Sequence, residues 1–183
     1  MIFRNYVTLA LIFSFICSSA CGQSKEDFTK RLNDIKTKYS TINQYKSYYV
    51  ITIDDAEAFL GNSVDNGASL TGYFKGDTLV KIVESIGLSN KVLQNEYYLD
   101  EDKLFFVYAT ESNYEWNDSM QVFDYTKLKL HFSARYYFEN GKLFDTILSD
   151  KNATSLTQNT AATFTSSIKK YISLLTKDKN KSR

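Results

Sequence analysis

The fold is decided by residues 136–146, YYFENGKLFDT, in which two bulky stretches flank the dipeptide Asn140-Gly141. Both residues tolerate the positive φ that a two-residue type I′ turn requires, so this dipeptide is the strongest short signal for a β-hairpin. With this turn, Tyr137 on one strand lies opposite Phe144 on the other. The stretch therefore predicts a hairpin with an aromatic patch, Tyr137 and Phe144, near its tip.

Two earlier stretches share this form: GYFKGDTLVKI at residues 72–82 and YYLDEDKLFFV at residues 97–107. Each has bulky residues, a polar turn, a leucine and more bulky residues, and each predicts another hairpin. The three copies are unequally spaced, so they do not form a solenoid with a fixed period. They predict a meander of hairpins with an insertion near residues 111–124.

The strand before the Asn140-Gly141 turn alternates between apolar and polar residues. Alternate side chains of a strand point to opposite faces of the sheet, so one set should meet the core. Across the turn, Phe138 is expected to pair with Leu143. The predicted inward set is Leu128, Leu130, Phe132, Ala134, Tyr136 and Phe138.

Helical patterns flank the predicted strands. Apolar residues from Phe28 to Ile42 recur at steps of four and three, the stripe of an amphipathic helix, and a similar stripe runs from Phe164 to Leu175. The polar stretch 150–160 connects the last strand to the second helix. The predicted fold is α+β: an antiparallel meander sheet of about six or seven strands, with N-terminal and C-terminal helices packed on one face.

The first twenty residues have the three zones of a secretory signal peptide. Arg4 is their only charged residue, an almost wholly apolar run follows it, and small residues precede Cys21. Ser18-Ser19-Ala20-Cys21 resembles the lipobox of bacterial lipoproteins, although it lacks the usual leucine at the first position. The resemblance implies that residues 1–20 are removed and that acyl chains on Cys21 hold the protein in a membrane. The alternative is a secreted protein with one free thiol.

The residues after Cys21 bear on where in the cell the protein is located. Ser24-Lys25-Glu26-Asp27-Phe28 resembles the export signal that Bacteroidota lipoproteins carry when they reach the cell surface. The same residues also suit an acidic helix start with Ser24 as its N-cap. The hairpin pattern over residues 70–148 is similar to that of uncharacterised Bacteroidota lipoproteins, which implies no activity. Together these resemblances predict a lipoprotein of the outer membrane, facing either the cell surface or the periplasm.

The remainder of the chain makes one domain. We predict a lipid-anchor tether at residues 21–24, a single α+β domain at 25–176 and a polar tail at 177–183. Removal of Arg4 with the signal leaves equal numbers of basic and acidic residues. A nucleic-acid-binding protein normally has a basic excess, so no nucleic-acid partner is expected.

Residues suited to catalysis or metal binding are few. His131 is the only histidine, and Cys21 is the only cysteine after the signal. A zinc site needs further His or Cys ligands, and a catalytic triad needs a base held by a third group. We therefore expect no metal, no cofactor and no catalytic residue, with His131 as a general base the alternative.

Two acidic groups have both a structural and a functional interpretation. Asp100-Glu101-Asp102 would bind a hard cation or form a hairpin tip, and the tip is favoured because no glycine completes an EF-hand loop. Asp54, Asp55 and Glu57 would supply a hydrolase with a carboxylate pair, or start a helix with Asp54 as its cap. The helix start is favoured because Asp and Glu commonly occupy such positions.

The stretch 111–124, ESNYEWNDSMQVFD, contains the only tryptophan, Trp116. Function concentrates on loops and Trp is enriched at binding hot spots, which suggests an exposed contact surface. Large aromatic residues are mostly buried, however, which favours Trp116 folding back to cap one end of the core. The candidate surface contacts are Trp116, Tyr114, Tyr137 and Phe144.

Asp118-Ser119-Met120 resembles the three-residue O-glycosylation signal of exported Bacteroidota proteins. Of three such matches in the chain, it is the one expected on an exposed loop. The resemblance implies a sugar on Ser119.

These features predict a membrane-anchored, non-catalytic binding module, held by lipid on Cys21, with an unidentified protein or glycan as its partner. A periplasmic immunity or inhibitor protein is the alternative, since it would also be small, tethered and non-catalytic. A hydrolase that uses Asp or Glu is the third hypothesis, and it predicts that the acidic groups line one pocket.

Overall fold

The computed structural model of the chain describes residues 17–150 and 157–181, with side-chain exposure for 25–150 and 161–181. The chain divides into two compact units, residues 1–38 and 39–183. The predicted signal peptide up to residue 16, the connection at 151–156 and the Cys21 side chain lie outside the described parts.

The first unit contains most of helix α1, Cys17–Gln44. Thr29 and Thr37 each donate their hydroxyl to the carbonyl one turn earlier, at 3.0 and 2.9 Å. The amphipathic helix is confirmed, but it begins at Cys17, so Ser24 lies inside it and is not its N-cap. The predicted tether, residues 21–24, is helical as well.

The second unit is a seven-stranded antiparallel sheet in sequence order, so the predicted α+β class and meander are confirmed. A short helix follows the first strand and a long one follows the last. The elements are β1 (Tyr49–Ile53), α2 (Ala56–Leu60), β2 (Ala68–Lys75), β3 (Thr78–Gly87), β4 (Lys91–Asp100), β5 (Lys103–Asn117), β6 (Val122–Glu139), β7 (Lys142–Leu148) and α3 (Thr157–Lys181).

The three repeated stretches form the β2–β3, β4–β5 and β6–β7 hairpins, and all three share one irregularity. After each turn, one extra residue on the returning strand interrupts the pairing: Val80, Phe105 and Phe144 respectively. Phe138 pairs with Leu143 as predicted, but Tyr137 pairs with Asp145 and not with Phe144. Such bulges increase the local twist, and the alternation of residue types does not reveal them.

One face of the sheet is covered by α3. The rings of Phe164 and Tyr171 lie 5.6 and 5.8 Å from the ring of Tyr97 on β4, between centroids. Leu175 approaches β2 at Gly72, where a Cβ would lie only 2.9 Å from the leucine Cδ1. The buried core comprises Ile51, Phe59, Leu70, Phe74, Leu79, Ile82, Tyr97, Leu99, Leu104, Val107, Ala134, Tyr136, Phe138, Ala161, Phe164, Ile168, Tyr171 and Leu175.

The opposite face contacts the last turns of α1. Tyr39 lies 5.0 Å from Tyr98 between ring centroids, and Asn43 Nδ2 donates to the Tyr98 hydroxyl. Tyr97 and Tyr98 are successive strand residues, so their side chains point to opposite faces. The prediction that both helices pack on one face is therefore wrong for this end of α1. A helical stripe shows which side of a helix is apolar, but not which face of a sheet it meets.

Helix α3 also extends further than predicted. Lys179 is buried, and its Nζ lies 3.0 Å from both the Gly76 carbonyl and an Asp77 carboxylate oxygen. The same atom lies 4.4 Å from the centre of the Phe74 ring. The predicted polar tail at 177–183 is therefore wrong up to Lys181. The apolar part of a lysine side chain can pack in a core while its amine reaches a polar partner. A run of charged residues is therefore not a reliable sign of a solvated tail.

Strand β6 departs from the predicted alternation at His131. Phe132 lies opposite Glu111 and Leu130 lies opposite Ser112, so His131 is an extra residue. An extra residue moves the side chains beyond it to the other face. Ala134, Tyr136 and Phe138 are buried as predicted and Phe132 packs against the core, but Leu128 and Leu130 are exposed.

Candidate binding surface on the β5–β6 hairpin

Strands β5 and β6 continue as a two-stranded ribbon beyond their neighbours. β4 pairs with β5 as far as Asn113, and β7 pairs only with the last part of β6. We call residues 112–130 the arm. The insertion predicted near 111–124 is present, but it is a paired hairpin that continues to Asn117 and Val122, and not a loop.

The tip of the arm, residues 118–121, is an ordered turn. Asn117 Oδ1 accepts hydrogen bonds from the N–H groups of Ser119 and Met120, both at 3.1 Å, and Gln121 has a φ of 52°. Ser119 is exposed, as a glycosylation site requires. The sugar on Ser119 stays a prediction.

One face of the arm is apolar. Residues directly opposite in an antiparallel pair share a face, which joins Tyr114 to Leu128 and Trp116 to Phe123. The Trp116 and Phe123 rings lie 4.9 Å apart at 74°, and Tyr125 lies 4.9 Å from Tyr114. Alternation along β5 places Tyr114 and Trp116 on the same side.

Most of these side chains are exposed. Six of the ten large hydrophobic residues that are exposed in the described part of the chain lie on the arm: Trp116 (47%), Met120 (69%), Val122 (47%), Tyr125 (56%), Leu128 (49%) and Leu130 (56%). Four of the six, Trp116, Tyr125, Leu128 and Leu130, belong to the apolar face, whereas Val122 lies opposite Asn117 on the other face and Met120 lies in the turn. Four large side chains that are about half exposed present on the order of 400 Å². That area is within the range of the largest apolar patch on a typical monomer, and such patches mark interaction sites.

Trp116 is therefore a surface residue. The prediction that it folds back to cap the core is wrong, because β5 carries it onto the arm, where its described ring contact is Phe123. Tyr114 is half-buried beside it. The structure brings these two of the four candidate contact residues together.

The other two candidates lie elsewhere. Tyr137 is buried, with its ring 5.2 Å from that of Phe106, and the half-buried Phe144 lies 6.3 Å from it. Tyr137 is therefore wrong as a surface contact. Tyr137 lies opposite Phe106 and Phe123 lies opposite Trp116, ten residues apart on β5. At about 3.3 Å per residue the separation is roughly 33 Å, so Tyr137 and Phe144 cannot join the apolar face of the arm.

Polar contacts fix the irregular stretch 124–127 of the arm. Lys127 forms ion pairs with Asp124 at 3.3 Å and with Glu115 at 3.9 Å. Hydrogen bonds from the Thr126 hydroxyl and N–H lower the pKa of Asp124 below its usual value. Tyr125 donates its hydroxyl to the Ser89 carbonyl at 3.2 Å, which fastens the arm to the β3–β4 turn.

The candidate catalytic residues are not brought together. His131 is exposed at the β6 bulge. Glu101 and Asp102 form the two-residue turn of the β4–β5 hairpin, with φ of 48° and 61°. Asp55, and not the predicted Asp54, caps α2 by accepting hydrogen bonds from two of its N–H groups.

The acidic groups that a hydrolase would need in one pocket therefore lie on separate elements. Within residues 17–150 and 157–181, no group of three or more His, Cys, Asp or Glu side chains is placed to hold a metal ion.

A buried carboxylate that sequence analysis missed joins β3, β4 and α3. Glu84 is 4% exposed, and it accepts hydrogen bonds from Tyr97 Oη and Asn95 Nδ2, both at 2.8 Å, and from the Tyr171 hydroxyl. Burial, and then the charge of Glu84, raises the pKa of both phenols above its usual value. The sequence does contain a sign of this buried carboxylate: Glu84 lies two residues after Ile82 on β3, so both side chains point to the core. Three donors satisfy this carboxylate, so its role is to tie α3 to the sheet.

A separate open groove of about 640 Å³ lies between α3 and the β6–β7 turn. Phe138, Leu143 and Ala161 contribute apolar lining, and Lys142 and Lys169 contribute amines. Its volume is within the range of small-molecule sites. It lies at the opposite end of β6 from the arm tip, so it is not part of the apolar face of the arm.

Comparisons with protein families, with curated proteins and with solved structures find no match to this chain. No helix among the described residues is both long enough and apolar enough to cross a membrane. The function is therefore inferred from the surface itself.

Proposed function

We propose that this protein is a non-catalytic binding module of the cell envelope that holds a protein partner on the apolar face of its arm. The observation that carries the proposal is the concentration of exposed apolar side chains on a ribbon that covers no core. Removing apolar surface from water is favourable by about 25 cal/mol per Å². In the free protein this face stays in water, so burying it under a partner would stabilise the complex.

A protein suits this face better than a glycan. The Trp116–Phe123 and Tyr114–Tyr125 ring pairs pack edge to face, so they do not present one flat surface on which sugar rings could stack. Aliphatic side chains of the arm, such as Leu128, offer no hydrogen bonds to sugar hydroxyls. Trp and Tyr beside aliphatic residues are typical of the centre of protein interfaces.

We propose further that acyl chains on Cys21 hold this module on the outer membrane. The support is the lipobox-like sequence before Cys21 and the acidic stretch after it. Two or more acyl chains would provide the stable attachment that a single chain does not.

Photo-crosslinking in living cells tests the binding proposal. A benzoylphenylalanine at position 116 should form a discrete adduct with one protein, because Trp116 lies within the apolar face. The same group at the exposed Glu57, on α2, is the matched control. Leu128→Ser combined with Leu130→Ser should remove the adduct at 116. The same set of adducts at both positions would contradict the proposal.

A further inference from the structure

We infer that the partner contributes a β-strand, which pairs with the outer edge of β6 at Leu128 and Leu130. The inference rests on the proposed function and adds to it the kind of partner segment. We call residues 128–132 the open edge.

The position of the added strand is defined by β7. Pairing of β7 with β6 ends at Leu148, opposite Ala134. Ser149 closes this ladder, because its Oγ accepts from Ser133 N–H at 2.9 Å and its own N–H donates to Ser133 O at 2.8 Å. Beyond this point, within residues 17–150 and 157–181, β5 is the strand that pairs with β6, and the side chains of Leu128, Lys129 and Leu130 are exposed. A strand in line with β7 would continue the sheet.

The backbone of the open edge is directed outwards. Tyr114 donates its N–H to the Asn90 carbonyl at 3.0 Å, away from β6. Tyr114 and Leu128 are therefore a non-hydrogen-bonded pair, in which both residues direct their backbone groups away from each other. The register is continuous from Leu128 to Leu130, so both leucines present N–H and C=O groups to the open edge. An exposed edge of this kind is a template for an incoming strand.

The side chains of the open edge indicate which residue types the partner strand should contain. Leu128 and Leu130 lie on the apolar face, so the added strand needs apolar residues there. Lys129 points to the other face, is exposed, and has no ion pair among the described residues. Opposite charges on adjacent strands attract. The geometry therefore favours a partner strand that alternates apolar and acidic residues.

Synthetic peptides of about six residues serve as probes. One alternates valine and glutamate, its twin alternates valine and lysine, and a third repeats the first with N-methyl groups on alternate amides. Amide exchange measured by NMR should slow at Leu128 and Leu130 with the first peptide. The acidic peptide should bind roughly threefold or more tightly than its basic twin, and the N-methylated peptide should not slow exchange. Lys129→Glu should reverse the preference between the twins.

A variant of the protein gives a second test. Leu130→Pro removes one outward N–H without removing a bond of the β5–β6 ladder, because proline is tolerated on strand edges. It should abolish the slowed exchange, whereas Leu130→Ala should only weaken binding. If the proline variant does not fold, the N-methylated peptide still decides the question.

Several results would overturn the inference: no peptide binding, equal protection of β1 and β7 amides, or indifference to charge at position 129. A stable dimer of the free protein that excludes the peptides would assign the open edge to a second copy. Fluorescence of Trp116, the only tryptophan, separates the two proposals. A change with the N-methylated peptide, without protection of Leu128 or Leu130, would mean that the face binds and the edge does not.

Discussion

At the scale of single residues, Glu84 links α3 to the sheet through hydrogen bonds. A carboxylate is tolerated inside a protein only while hydrogen bonds replace its hydration. Tyr97 and Asn95 supply two of these bonds from β4 and Tyr171 supplies the third from α3. Removing any one donor leaves an acceptor buried without its partner, which costs more than the bond contributes when present.

Glu84→Gln should therefore lower the free energy of unfolding by about 1.5–3 kcal/mol, because the charge-assisted bonds to the two phenols become neutral ones. Urea unfolding measures the change. Glu57→Gln, at an exposed position on α2, is the control and should change stability by less than about 0.5 kcal/mol. Equal effects of the two substitutions would show that the buried carboxylate has no special role.

The buried phenols predict a loss of stability in alkali. Burial raises the pKa of Tyr97 and Tyr171 above the usual value of about 10. The unfolded chain therefore loses these protons first, so their contribution is complete below about pH 10 and is lost as the pH rises towards the folded pKa.

We expect the free energy of unfolding to fall above about pH 10, by about 1.4 kcal/mol per pH unit for each phenol that stays protonated in the fold. Urea unfolding at about pH 9 and about pH 11 measures the slope. Tyr171→Phe should unfold with a shallower pH dependence, and an unchanged slope would exclude Tyr171 as a source.

Lys179 makes the end of α3 part of the folded core. Lys179→Ala should lower the free energy of unfolding by about 1–2 kcal/mol, because it removes both the packing on Phe74 and the bond to the Gly76 carbonyl. Thermal unfolding measures the loss, with Lys181→Ala, at an exposed position, as the control. A solvated tail would make the two variants equal.

At the scale of elements, the arm differs from the rest of the sheet in what its side chains contribute. The core face of β2 packs under α3, whereas the apolar face of the arm packs on nothing described. Side chains of the same kind are therefore buried on one strand of the sheet and exposed on others.

Leu128→Ser should change the free energy of unfolding by less than about 1 kcal/mol, because this side chain is already half exposed. Leu70→Ala, in the core, should cost about 2–5 kcal/mol. Chemical denaturation compares the two. A large loss at Leu128 would mean that the arm stabilises the fold and is not reserved for a partner.

The hairpins could be predicted from sequence because their turns are local: Asn140-Gly141 fixes its own geometry. The arm could not be predicted, because the face on which Leu128 and Leu130 lie depends on the extra residue at His131. Alternation of apolar and polar residues does not show where a strand has such an extra, unpaired residue. The exposure of Trp116 could not be predicted either, because its residue type favours burial, whereas β5 carries the ring beyond the neighbouring strands onto the arm. Glu84 needed a partner on α3, which is distant in sequence and visible only in the fold.

At the scale of the whole molecule, the predicted lipid anchor would act together with the proposed binding surface of the sheet. A lipid on Cys21 would restrict the protein to a membrane surface and raise its effective concentration for any partner held there. The module therefore would not need high intrinsic affinity.

Cys21→Ala should move the protein from the membrane fraction to the soluble fraction and abolish labelling with radioactive palmitate, because the acylated thiol is lost. Fractionation and labelling of native cells measure both. Protease treatment of intact cells carrying a C-terminal tag then distinguishes the surface from the periplasm. Unchanged membrane association of the variant, with no label in the parent protein, would contradict the lipid anchor.

The order of strands in the sheet also has a consequence for how the chain folds. Every strand pairs with its neighbours in sequence, so each hairpin can close as soon as its own residues are available. Pairing between strands that follow one another in sequence keeps the closing loops short, which favours rapid formation of each hairpin. Helix α3 supplies the other half of the core and follows all seven strands in sequence. The apolar side chains of β1 to β6 that it covers therefore stay exposed until α3 has been synthesised. A chain that lacks α3 would expose the apolar face that α3 covers, and such exposed apolar surface makes a folding intermediate prone to aggregate.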